Sequence, residues 1–250
     1  MRMLGVLLAA AALAVAGCGG DDSDQPLVVS AAASLKQAFT AYGNEFGDAK
    51  ARFSFAGSDE LAAQIEQGVT PDVYAAANTK LPDQLYAKGL VEKPTVFAGN
   101  RLVLAVPASG AKVTSLQDLE TEGVKLAIGA QDVPVGSYTR TVLDKLPAGE
   151  RQAILANVRT EEPDVSGIVG KLAAGAVDAG FLYISDVKGA EGDLKAIDLP
   201  DELQPQVAYG VAVVKGSKHR AQAQAFVNGL LKGEGRKRLD AAGFMRPPGT

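Results

Sequence analysis

Two serines stand where this chain could hold an anion. Ser34 follows the apolar run Val28 to Ala33 and comes just before Leu35, Ala38, Phe39 and Tyr42, which repeat at helical spacing. A strand, a very tight turn and a helix are therefore expected, with the first free N–H groups of that helix beside Ser34. The arrangement recurs: Phe53 to Ala56 is apolar-rich, Gly57 and Ser58 follow, and Leu61, Ala62 and Ile65 then take up helical spacing. Taken singly, each serine reads equally as the N-cap of a surface helix. Two strand-turn-helix units, each with a serine at a helix start and small side chains around it, can instead converge on one ligand from two sides, and a helix start favours a negative charge. The chain has the outline of an anion receptor.

Other chemistries find little support. His219 is the sole histidine, in Gly216-Ser217-Lys218-His219-Arg220, and is expected in an exposed turn leading into a helix. With one cysteine as well, no His/Cys cluster for zinc can be assembled, and neither a metal site nor a cofactor is expected. No paired base accompanies the hydroxyls, and Lys36 and Ser34 diverge on a helix at a spacing of two, so the sequence does not read as an enzyme. The 25 basic and 29 acidic residues give a net charge of −4. Without a basic cluster interleaved with aromatics, nucleic acid is not expected as a partner, and an anion must be held by local donors rather than by the overall field.

The elements that would position the serines follow from the apolar pattern. The 250 residues, 47% apolar and 22% charged, suffice for one large or two medium domains with buried cores. Met1 to Gly20 is set aside first: Arg2 is a short basic start, Leu4 to Ala16 is an apolar run too short for a bilayer anchor, and Ala16-Gly17 precede Cys18. The segment reads as a signal peptide over 1–17, and Cys18 with the polar tether that ends at Pro26 as the start of the mature chain. Strand, helix, strand, helix, strand, helix up to Gly89 is a doubly wound α/β pattern. The strong strands Arg101 to Val106 and Val207 to Val214 look like two crossovers between lobes. Residues 27–106 and 208–250 are expected to form a first, discontinuous lobe, and 107–207 a second.

Across essentially the whole mature chain, five blocks occur in the order of a known family. They are VSAAASLKQAF at 29–39, FAGSDELAAQIEQGVTPDVYAAA at 55–77, Val133 to Tyr138, Glu162 to Val165, and Ala179 to Tyr183. The sequence resembles the periplasmic molybdate-binding proteins of ABC transporters, within the type II solute-binding superfamily. The resemblance implies a two-lobed α/β fold, each lobe a mixed, mostly parallel sheet flanked by helices. It implies a monomer that captures molybdate, and tungstate with it, in the cleft and delivers it to an ABC permease; the same fold tuned to sulfate or thiosulfate is the alternative. It further implies that molybdenum is bound only as its oxyanion, through Ser34, Ser58 and their neighbouring amides, the amides at Val135 and Val165, and the hydroxyl of Tyr183. Without the resemblance, Tyr183 in Phe181-Leu182-Tyr183 reads as a core aromatic. Cys18 resembles the lipidated cysteine of bacterial lipoproteins, which implies a lipid anchor and a place in the cell envelope, in the periplasm or on the outer face of the cytoplasmic membrane. Gly57 and Asp59 depart from the hydroxyl-rich surroundings common in the family; Asp59 is expected to face away and accept helix N–H groups.

A fully deprotonated tetrahedral dianion such as molybdate offers only acceptors. A cavity of hydroxyls and main-chain N–H groups, with no Asp or Glu acceptor, suits it and would reject hydrogenphosphate, which must donate a proton.

Overall fold

The computed structural model describes residues 25–248, so the expected signal segment and Cys18 lie outside the described residues. No helix among the described residues is long and apolar enough to cross a membrane. The chain forms two five-stranded sheets, each flanked by helices.

The first sheet is built from β1 (Leu27–Ala32), β2 (Ala51–Ala56), β3 (Val73–Ala76), β4 (Thr95–Asn100) and β10 (Val207–Val213), in the order β2-β1-β3-β10-β4. Between the first strands run α1 (Lys36–Gly43), α2 (Ser58–Glu66) and α3 (Lys80–Ala87). β1 pairs in parallel with β2 and β3, Val29 facing Phe53 on one side and Val73 on the other, as helical crossovers require. β3 is buried at all four positions, which is why its sequence is an unbroken apolar run. β10 is antiparallel to both β3 and β4. The late helices α8 (Arg220–Lys232) and α9 (Glu234–Ala241) return to this sheet, α8 packing on β10 and α9 on α1. The aromatic core lies there: Phe39 meets Phe226 edge-on at 5.6 Å and Phe97 at 6.0 Å.

The second sheet has the order β7-β6-β8-β5-β9. Its strands are β5 (Leu102–Pro107), β6 (Leu126–Gly129), β7 (Val158–Glu162), β8 (Ala179–Tyr183) and β9 (Leu194–Asp198), with α4 (Pro134–Leu143), α5 (Ala148–Ala156), α6 (Val165–Ala173) and α7 (Ile184–Gly189) among them. β6 is parallel to β7 and β8, whereas β5 is antiparallel to β8 and β9.

Several elements differ from those expected. Leu102–Pro107, expected to close the first lobe, pairs with β8 and β9 in the second sheet, so the chain passes between sheets at Arg101. A continuous apolar run is what a central strand of either sheet requires, and it carries no mark of which one. β4, β9, α5 and α7 were not expected. β4 is an edge strand with two exposed residues at its start and a glycine near its end. β9 alternates too weakly to stand out, and α7 begins directly where β8 ends. The short helix expected over Ser115 to Leu119 is a 3-10 turn at Gln117–Glu120.

His219 is not an exposed turn residue. Its side chain is 14% exposed, and Nδ1 lies 3.3 Å from both oxygens of the buried Asp72 carboxylate. Asp72 also accepts from the Val28 N–H at 2.7 Å and from the Ser217 hydroxyl at 2.6 Å, so one carboxylate ties three segments together and draws the imidazole in.

Candidate functional site

Ser34, Ser58, Val135, Val165 and Tyr183 all line one cavity. The space they bound, with open solvent at its mouth included, is about 240 Å³, small beside the pockets that take drug-sized ligands. Its floor is the carboxyl ends of β1, β2, β6, β7 and β8, the position at which open α/β sheets present ligand sites. Small residues, Ala32, Ala33, Ala56, Gly57 and Ala77, let the backbone approach on the first-sheet side, while Val133, Pro134 and Pro163 close the other. Among the described residues, no Lys, Arg or His lines it.

Neither serine caps a helix with its side chain. Ser34 lies in the 3-10 turn Ala33–Leu35 before α1, with Ala32 at the N-cap, and Ser58 is the first residue of α2 behind Gly57. Both are buried, at 8% and 2% exposure. Ser58 Oγ accepts from the Ala77 N–H at 3.0 Å, which leaves its own proton to donate. Ser34 Oγ lies 2.9 Å from the Tyr209 hydroxyl.

The second sheet contributes helix starts. α4 begins with Val133 at the N-cap and Pro134 at its first position, so the Val135 N–H falls in the first turn, where no helix carbonyl is available to it. α6 is capped by Asp164, whose Oδ1 accepts from Ser166 N–H at 2.7 Å and Gly167 N–H at 3.3 Å, leaving the Val165 N–H outside the cap. Asp164 therefore lines the cavity, contrary to the expectation of a lining without acids, but the oxygen that caps α6 is engaged by helix N–H groups.

Tyr183 ends β8, and its hydroxyl is buried with no hydrogen-bond partner among the described residues. Burial, with lesser contributions from Tyr209, Tyr138 and Asp186, pushes its phenol well above the ordinary range, so it keeps its proton and acts as a donor. An unpartnered hydroxyl in such a place costs roughly 1–3 kcal/mol unless a ligand meets it. Its backbone N–H donates to Asp186 Oδ2 at 3.0 Å, and burial raises the Asp186 carboxyl to about 7.

Asp59 does not line the cavity. It was expected to accept helix N–H groups, yet its Oδ1 is buried without a hydrogen-bond partner among the described residues, beside the point where Gly57 meets the Pro163 carbonyl. Sequence reasoning also missed Asn100 and Tyr209, which lie behind Ser34. The available signals were a polar residue ending an apolar strand and a tyrosine inside one.

The family of bacterial extracellular solute-binding proteins matches residues 27–245. The molybdate-binding protein ModA of Mycobacterium tuberculosis is 34% identical over 235 residues, covering 92% of this chain and 88% of that protein. The molybdate-binding protein ModA of Escherichia coli is 31% identical over 240 residues, with 91% of each chain covered. The solved structure of the Azotobacter vinelandii periplasmic molybdate-binding protein superposes with a TM-score of 0.79 at 20% identity, over 88% of this chain and 99% of that one, a match of fold. The family match takes in nearly all of the described residues: the chain belongs to the bacterial extracellular solute-binding protein family.

Proposed function

We propose that this protein is an extracytoplasmic receptor that captures molybdate, and tungstate with it, between its two lobes and delivers it to an ABC permease. The observation that carries the reading is the donor set. Ser58 Oγ already accepts from Ala77 N–H, Tyr183 is a buried hydroxyl without a partner among the described residues, and the Val135 and Val165 amides lie at helix starts. Such a set suits an anion that offers only acceptors, and the positive ends of α2, α4 and α6 supply potential without a cation. The relatives of this chain that are named for molybdate support the choice among oxyanions.

In this reading the protein binds and releases without chemistry. The hydroxyls have no base beside them, and His219 is committed to Asp72 away from the cavity. The lobes close on the ligand by movement about the two passages between the sheets, near Arg101 and before Val207. The protein works as a monomer held in the cell envelope by lipid on Cys18.

Isothermal titration of residues 21–250 with molybdate, tungstate, sulfate and phosphate tests the proposal. Tungstate should bind within about tenfold of molybdate, because the two anions share size and charge. Sulfate, with shorter bonds, should leave donors unmet and bind on the order of a thousandfold more weakly, at roughly 1–3 kcal/mol for each of two lost contacts. Equal affinity for sulfate and molybdate would refute the choice of ligand.

A further inference from the structure

Behind Ser34 runs a buried polar chain of Tyr209, Asn100 and Ser185, none of which lines the cavity. Asn100, 4% exposed at the end of β4, donates from Nδ2 to Ser185 Oγ at 2.9 Å and to the Tyr209 hydroxyl at 3.3 Å. The orientation of its amide is fixed from the other end, because Oδ1 accepts from the Arg101 N–H at 2.9 Å. Both amide protons are thus spoken for. Tyr209 is fully buried, its ring held by Tyr183 at 5.8 Å, Phe97 at 6.2 Å and Phe244 at 5.3 Å, so only its proton can turn.

The polarity of this chain follows from counting donors and acceptors. The Tyr209 oxygen receives a proton from Asn100. If it received the Ser34 proton as well, its own proton would be buried with no acceptor among the described residues, since Ser34 and Asn100 are its hydrogen-bond partners. The satisfied arrangement is Asn100 to Tyr209 to Ser34. Ser34 Oγ then accepts from Tyr209, as Ser58 Oγ does from Ala77, and its own proton is left for the cavity.

We infer that Asn100 and Tyr209 are specificity-determining positioning residues: they aim the Ser34 proton at the cavity, so that this hydroxyl meets a bound oxyanion as a donor and disfavours an oxygen that carries a proton. The inference rests on the oxyanion reading of the site and deepens it. A hydrogen-bonded chain of this kind also strengthens each member, so the Ser34 donor gains from the two groups behind it. Without the chain, the Ser34 proton could turn away and leave only lone pairs toward the cavity, able to accept from hydrogenphosphate.

The test is a double-mutant cycle between Tyr209→Phe and Ser34→Ala, read by titration with molybdate and with phosphate. Tyr209→Phe should weaken molybdate by about tenfold and narrow the preference for molybdate over phosphate by a similar factor. In the Ser34→Ala background, Tyr209→Phe should change neither quantity further, because it acts through that one hydroxyl. Asn100→Asp provides an independent arm. Its carboxylate would accept the Tyr209 proton, turn Ser34 into a donor toward Tyr209, and cost molybdate about a hundredfold; melting with circular dichroism checks that the variant is folded, and the cycle decides alone if it is not. Additive effects of Tyr209→Phe and Ser34→Ala, or a Tyr209→Phe protein with unchanged selectivity, would overturn the inference. A parent protein that binds no molybdate would instead overturn the ligand assignment, so the two failures are distinguishable.

Discussion

Tyr183→Phe removes one oxygen and leaves the ring that stands edge-on to Tyr138 at 6.3 Å and Tyr209 at 5.8 Å. Because the hydroxyl has no protein partner, its loss should not lower the melting temperature of the empty protein. Molybdate binding should weaken by roughly 1.5–3 kcal/mol, the range for a hydrogen bond to a charged group, measured by titration. Asp186 gives the pH dependence. Burial holds its carboxyl up at about 7 despite the Tyr183 N–H, with Asp164 adding to the rise. A folded pKa above the unfolded value stabilises in acid, and that contribution is lost as pH rises through the folded pKa. A dianion bound nearby raises the carboxyl further, so binding takes up a proton, and affinity should fall severalfold as pH rises from about 6 to about 8. Asp186→Asn should flatten that slope in the same titration; an equal slope in both proteins would place the titrating group elsewhere. Ser34 and Ser58 could be picked from the residues alone because each lies in a local strand-turn-helix block; Val135, Val165 and Tyr183 could be picked only through the family resemblance. Tyr209 could not, since its contact with Ser34 spans 175 positions and is created only by β10 threading beside β3.

At the scale of elements, the donors are as good as the packing that aims them. α4 lies so close to the end of β6 that a Cβ on Gly136 would overlap the carbonyls of Ala130 and Gly129. Gly129 in turn has the Gly136 nitrogen 2.6 Å from where its own Cβ would be. Gly136→Ala must therefore push α4 outward and take the Val135 amide with it. Overpacking of this kind costs about 1–3 kcal/mol, so thermal melting should show a clear loss of stability and titration a larger loss of affinity than Tyr183→Phe. A variant with parent-like melting would mean that α4 can slide without cost. The strong central elements were legible from periodicity: β1, β3, β6, β8 and β10 are apolar runs, and α1, α2, α4 and α6 follow tight turns. Edge strands such as β4 and β9 escaped because half their surface faces solvent or loop, which dilutes the apolar signal. The assignment of β5 to the second sheet was illegible for a different reason: which sheet a buried strand joins is settled by pairing partners far downstream, such as Tyr183 opposite Leu102.

For the whole molecule, one place where the lobes touch is Gly57. A Cβ there would come within 2.8 Å of the Pro163 carbonyl, so the closed arrangement is open only to a residue without a side chain. Gly57→Ala should leave both sheets folded and their melting little changed, yet hold the lobes apart. Small-angle scattering with saturating molybdate should show the parent contracting, and the variant contracting less and binding more weakly; an equal contraction with equal affinity would show that the helices give way. Asn100 and Val207 are opposed residues of neighbouring antiparallel strands, so the chain leaves the first sheet and comes back to it at one place. Everything between them behaves as a cassette carried on the arms of what could have been a simple hairpin. Deleting residues 101–206 and joining β4 to β10 by an Asn-Gly turn should then yield a small protein with the first sheet intact, seen by circular dichroism and cooperative melting. Its half of the cavity would face water, and a loss of all cooperative structure would mean that the two lobes fold only as a pair.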